Sequence, residues 1–147
     1  MGARVLSAGD AVWRAATTGV ENVDLADQLG AKATLGARLW RLRPGQASTR
    51  HRHRTETELY VVLAGTGRMR IDDEPALTLA PTSAVVVDPE TVRQCFNDTG
   101  EDALWLVVGV PPEGLDPRAL TPDDIAFMYP DGVHALPPEL APGAEAG

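Results

Sequence analysis

At 147 residues, 44% hydrophobic and 23% charged, the chain has the length and composition of one soluble globular domain that can bury a core without disulfides, and its single cysteine, Cys95, rules out an internal bridge. The formal net charge of -8 excludes a nucleic-acid binder working through a basic face, and no apolar run approaches the ~20 residues that span a bilayer. No basic segment followed by an apolar one marks the N-terminus as a signal peptide, so the cytoplasm is the expected compartment.

Residues 1–30 read as an N-terminal extension in which Ala11-Val12-Trp13-Arg14 is a candidate added strand and Val23 to Leu29 a single helical turn or a loop. Residues 31–111 carry the strand signals. Ala33–Leu42, Glu58–Ala64, Arg68–Asp72, Leu77–Ala80, Ala84–Asp88, Val92–Phe96 and Ala103–Val110 are short runs, most bounded by turn chemistry such as Gly65-Thr66-Gly67 and Asn97-Asp98-Thr99-Gly100. Short strands at this spacing predict an all-β, antiparallel sandwich or barrel. Val85-Val86-Val87 and Leu104-Trp105-Leu106-Val107-Val108 are apolar on both parities, as in strands covered on one side by the barrel interior and on the other by a second sheet or a partner subunit.

Residues 112–147 form a proline-rich acidic tail. Eight of the twelve prolines fall between Pro111 and Pro142, and from Pro112 onward seven acids stand against the one base Arg118, six of the eight excess negatives. The plain reading of that charge is a solvated appendage. Thr121-Pro122-Asp123-Asp124 sets an N-cap, a proline at the first helical position and two acids in the first turn, which predicts a short helix through about Met128. Leu140 to Gly147 reads as disordered.

The chemistry concentrates between Gly45 and Gly65. His51-x-His53 holds two of the three histidines, and on an extended segment residues two apart project to the same face. Arg50, Arg52 and Arg54 alternate with them, so the pair taken alone also reads as a solvated strand face. Five residues beyond His53, Glu58 opens the apolar run Leu59 to Ala64, and a short bend would fold its carboxylate back toward the imidazoles. Two neutral nitrogens and one carboxylate oxygen are a facial set that leaves positions open on a metal. If Glu58 faces inward, Tyr60 and Val62 share its face, and a buried Tyr60 hydroxyl needs a partner such as a metal-bound water or a substrate.

The whole pattern is G-x5-H-x-H-x4-E-x6-G, from Gly45 through His51, His53 and Glu58 to Gly65, and it resembles the first motif of the cupins, small metal-binding β-barrels. The family's second motif, G-x5-P-x-G-x2-H-x3-N, is matched only in part: Pro89 is kept, while Ser83, Thr91, Gln94 and Asp98 stand at the glycine, glycine, histidine and asparagine positions. The resemblance covers roughly Leu35 to Val110. It implies a double-stranded β-helix, or cupin jelly roll, for the core, with the short helix and tail appended. It also implies a divalent metal (iron, nickel, manganese or zinc) inside the barrel, a small-molecule substrate and a homodimer.

On this resemblance the metal ligands are His51, His53 and Glu58, and Gln94 is either a fourth, weaker ligand or a group that orients a bound water. A decayed site in which the histidines only line a pocket is the third reading. Alternation from Gln94 turns Val92 and Phe96 inward and Cys95 to the opposite face, as a buried structural thiol. The resulting wall is mostly apolar and suits a small organic ligand better than a sugar phosphate. Glu58 and Tyr60 are the candidate catalytic groups, and an inward Arg41 would favour a carboxylate-bearing substrate. The leading expectation is a dioxygenase-like oxidation or cleavage of a small organic substrate. A metal-dependent isomerase, epimerase or decarboxylase is the enzymatic alternative, and a non-catalytic binding or sensing barrel is the other. His134 reads as a surface histidine, with a tail that lids the barrel mouth and brings it to the metal as the sharper idea.

Overall fold

Alternation along two long strands sets the architecture, which a computed structural model describes for residues 2–143. In β4 (Thr57–Ala64), Glu58, Tyr60 and Val62 are buried while Leu59 and Leu63 are exposed. In β9 (Ala103–Val110), Ala103, Trp105 and Val107 are buried in turn. Each of the seven expected runs forms a strand: β4 and β9 with β3 (Gly36–Leu42), β5 (Gly67–Ile71), β6 (Leu77–Leu79), β7 (Ala84–Val87) and β8 (Arg93–Phe96). The N-terminal region adds β1 (Arg14–Ala15), β2 (Glu21–Asp24) and the single turn α1 (Leu25–Gln28). The strand expected at Ala11 to Arg14 is thus shorter and later, because Asn22 and Glu21 pair only with Arg14 and Ala15.

All pairings are antiparallel, in a six-stranded sheet of order β1-β2-β3-β9-β4-β7 and a three-stranded sheet of order β6-β5-β8. Side chains from both enclose one core of Leu42, Tyr60, Val62, Met69, Val87, Cys95, Trp105 and Val107, with Val20 and Ala103. This is the double-stranded β-helix, although no continuous ladder closes the two sheets into one. Close approach demands glycine at the corner after β4. Gly65 has a φ of +74°, and a Cβ on Gly67 would run into Val62 and Trp105.

The C-terminal helix α2 (Pro122–Met128) forms where its cap signals place it, with a reciprocal capping box between Thr121 and Asp124. The tail, in contrast, is no solvated appendage. Arg50 Nε donates to Asp131 at 2.8 Å, Arg70 Nε to Glu139 at 3.1 Å and Arg52 Nε to the Phe127 carbonyl at 2.6 Å, so the acids meet arginines on the barrel wall. Of the stretch expected to be disordered, Leu140 stands in a turn, its N–H donating to the Pro137 carbonyl at 3.0 Å, and residues 144–147 lie outside the described residues. No helix among the described residues is long and apolar enough to cross a membrane.

Candidate metal centre

The loop between β3 and β4 runs along the free edge of β8. His51 and Arg93 exchange main-chain hydrogen bonds of 3.0 and 2.8 Å, and Ser48 N–H donates to the Cys95 carbonyl at 2.9 Å. That anchoring holds the histidine segment extended. His51 and His53 turn inward, and the alternating arginines turn outward, where the guanidinium groups of Arg52 and Arg54 lie 4.1 and 4.0 Å from the Phe127 ring centre. Glu58 reaches the imidazoles from the inner face of β4, and His51, His53 and Glu58 each offer one ligand atom with all three within 4.8 Å of one another.

Each imidazole already engages its other nitrogen. His51 Nδ1 is 3.0 Å from the Thr49 carbonyl, which only a protonated nitrogen satisfies, and His53 Nδ1 is 3.3 Å from the Glu113 carboxylate. Neutral rings held this way present their Nε2 lone pairs to Glu58 Oε1, 3.6 Å from His51 and 3.1 Å from His53. Three converging lone pairs repel unless a cation or a proton lies among them, so the donor chemistry fits a divalent ion. Where a proton takes the ion's place, hydrogen bonds from the imidazoles and their positive charge overcome the effect of burial and hold the Glu58 carboxyl well below the usual carboxylate range. For His53 burial favours the neutral ring, and the Glu58 and Glu56 carboxylates reverse that and raise its pKa.

Tyr60 is fully buried beneath the group, and its hydroxyl donates to Glu58 Oε1 at 2.8 Å. Glu58 is therefore the partner that its hydroxyl needs. It positions the carboxylate and does not line the cavity.

The structure does not bring Gln94 to the centre. Its Nε2 donates to the carbonyls of Ser48 at 2.9 Å and Ala135 at 2.8 Å under the tail, and Arg93 points inward in its place, with Nη2 3.3 Å from Glu58 Oε1. Inward parity on β8 thus belongs to Arg93 and Cys95, not to Gln94 and Phe96, and Cys95 packs in the core with Tyr60. All four β8 residues are buried, so burial offers no clue to parity. The spacing did hold one. Arg93-x3-Asn97 fits the histidine-x3-asparagine end of the second motif one residue earlier than Gln94-x3-Asp98, and the buried Asn97 donates to the Leu42 carbonyl at 2.9 Å.

Two further carboxylates join, neither at a fixed position of the first motif. Glu56 shares strand parity with Glu58, which could have flagged it, and lies over Gly36 and Gly109 where no side chain intervenes. Burial raises its carboxyl above the ordinary value against the opposing charge of His53. Glu113 comes from the tail, a placement with no local signal. Its Oε1 accepts the Thr55 N–H at 2.7 Å while Oε2 meets His53. Burial would raise Glu113, but those donors win and its pKa is lowered.

The centre opens into a cavity of about 1040 Å³ lined by His51, His53, Glu56, Glu58 and Glu113 at one end and by apolar groups such as Trp40, Leu35 and Met128 elsewhere. The reactive end is acidic, while the lining as a whole is mostly apolar, as expected, although other residues supply it. Val62, Val92 and Phe96 do not line it. Arg41 faces away, stacked 4.1 Å over Trp13 and 3.4 Å from Glu21. His134 is absent from both the cavity and the ligand group, because only the earlier part of the tail, with Glu113 and Met128, reaches the cavity, and the chain from Asp131 to Glu139 docks on the outer wall.

A double-stranded β-helix carrying a His-x-His pair and a carboxylate on its inner wall defines a class of barrel built around a metal-type donor set. Residues 38–109 match the family model described as Cupin domain, and the chain belongs to the cupin superfamily. No protein of curated function matches it. Among solved structures, it is similar to a cupin-superfamily sugar phosphate isomerase from Silicibacter pomeroyi, at 27% identity and a TM-score of 0.64 over 72% of this chain and 74% of that one. A protein from Acidithiobacillus ferrooxidans, provisionally named a sugar phosphate isomerase, is similar at 25% identity and a TM-score of 0.63 over 71% of this chain and 73% of that one. A Cupin 2 conserved barrel domain protein from Salinispora arenicola shares the fold, at 19% identity and a TM-score of 0.58 over 74% and 87%.

Proposed function

We propose that the protein is a metal-dependent enzyme that moves a proton on a small carbonyl-bearing substrate, an isomerase-type reaction. One observation carries this reading: the His51-His53-Glu58 set shares its cavity with a second carboxylate, Glu56, that no lysine or arginine neutralises among the described residues. His51, His53 and Glu58 would hold a divalent ion, which when bound supplies Lewis acidity to polarise a carbonyl oxygen. On an α-hydroxy carbonyl, Glu56 would take the proton from the hydroxyl-bearing carbon at a carboxylate oxygen and return it to the former carbonyl carbon, while the hydroxyl proton passes to the former carbonyl oxygen. Trp40, Leu35 and Met128 give the cavity apolar surface for the carbon skeleton of such a substrate. The resemblance to structures named as sugar phosphate isomerases supports the reaction class. It does not extend to the phosphate, since Lys32, Arg38 and Arg118 at the cavity are each paired with an aspartate, at 3.0, 3.0 and 3.3 Å.

The test is solvent exchange. Protein loaded with about one metal per chain and incubated with carbonyl substrates in D2O should place deuterium on the carbon next to the carbonyl. Glu56→Gln should abolish that exchange while keeping the metal. The facial His51-His53-Glu58 set also suits iron that activates oxygen, the second reading. Turnover that needs oxygen and leaves no deuterium in the product would replace the first with it. Ligands that raise the melting temperature and are never turned over would mark a binding module instead.

A further inference from the structure

Arg93 has no part in that mechanism, yet it is the fully buried cation nearest the centre. Its Nη1 donates to the Thr91 carbonyl at 2.7 Å, while Nε and Nη2 have no hydrogen-bond partner. Nη2 lies 3.3 Å from Glu58 Oε1, the one carboxylate within ion-pair reach of it among the described residues. The geometry is a charge contact without an aligned hydrogen bond. Its main chain is tied to His51 on both sides and its side chain is fully buried, which keeps the guanidinium inside the barrel.

We propose that Arg93 is a resident cation that competes with the metal for Glu58 and holds the affinity of the centre down, so that the ion is exchangeable. This rests on the metal reading above and deepens it. With the imidazoles neutral, Glu58 and Arg93 cancel, and the donor set carries no net charge to attract a divalent ion. The guanidinium also faces any ion bound to the same oxygen at a distance where like charges repel strongly in a buried setting. Glu56 and Glu113 do not cancel that repulsion locally, because they meet the far side of the His53 ring at Nδ1. The remaining neighbours of Glu58 Oε1, Tyr60 and the two imidazoles, bring no fixed charge.

A purely structural ion pair and a competing cation agree that a neutral residue at 93 destabilises the metal-free protein, because it strands the buried Glu58 charge. They differ in sign on the metal. Calorimetric titration of wild type, Arg93→Gln and Arg93→Met with Zn2+ and with Co2+, beside melting curves of the metal-free forms, separates them. The expected result is a lower melting temperature with metal affinity about tenfold or more tighter in both variants. Equal or weaker affinity in the variants, with wild type binding metal, overturns the inference and leaves the metal reading standing. No binding by any form, with His51→Ala indistinguishable from wild type, removes both. If the variants do not fold alone, Co2+ should restore their near-ultraviolet circular dichroism, since the ion supplies the missing charge, and absence of rescue overturns the proposal.

Discussion

Glu113 shows how much one residue decides. A single carboxylate holds the Thr55 N–H at 2.7 Å, the Glu56 N–H at 3.3 Å and His53 Nδ1 at 3.3 Å, so it fixes the entry to β4 and offers an acceptor to the Nδ1–H form of a ring in the proposed metal set. Glu113→Gln keeps an oxygen for the main chain but weakens the acceptor that selects the Nδ1–H form. Metal affinity should fall about 10- to 100-fold with little change in melting temperature, as for other groups that orient a ligating histidine. Calorimetry with Zn2+ and nitrogen-15 shifts of the His53 ring measure both sides; unchanged affinity with a switched tautomer would refute the role. At this scale the sequence was readable where spacing is local: His51, His53 and Glu58 share one short segment and meet as their intervals require. It was unreadable for Glu113, 60 residues from His53 in the chain. The second-motif spacing points to Gln94 where the structure turns Arg93 inward, because a one-residue change of register on a fully buried strand reverses every side chain.

Between elements, the pairing of β9 with β3 and β4 makes room for the second carboxylate. Gly109 stands opposite Gly36 on one side and Glu58 on the other, and a methyl group at Gly109 would overlap the Glu56 carboxylate. A flexible side chain is the far partner, so Gly109→Ala should leave the ladder intact and turn Glu56 aside. The expected outcome is metal content unchanged near one per chain and loss of proton exchange into substrate, matching Glu56→Gln. Exchange at the wild-type rate would show that Glu56 is not the base. The seven core strands were readable because most of the runs are bounded by Gly, Pro, Asp or Asn chemistry. Sheet membership was not, since β3, β4, β7 and β9 come together across long separations that no short-range pattern encodes. α2 was readable to the residue because its capping box is a local device.

Across the whole molecule, the arginines that alternate with the histidines make the histidine segment and the tail two faces of one strip. Arg50, Arg52 and Arg54 reach Asp131, Phe127 and Asp124 respectively, while Arg70 reaches Glu139. Composition hid this, because an acidic proline-rich tail looks the same whether its charges meet water or a basic wall. Titration should expose it. The Arg70 hydrogen bond holds the Glu139 carboxyl below its ordinary value, and hydrogen bonds from Thr121 do the same for Asp124 at the helix cap. A depressed carboxyl stabilises the docked form at pH above its unfolded pKa, and the contribution is lost as pH falls through the folded value. Protection of residues 130–143 in hydrogen exchange should therefore drop below about pH 4, before the core strands open. Arg70→Gln should lower that protection already at pH 7 and flatten its acid dependence. Protection that persists to pH 3, or that disappears together with β4 and β9, would mean the tail is held by its apolar contacts and not by these pairs.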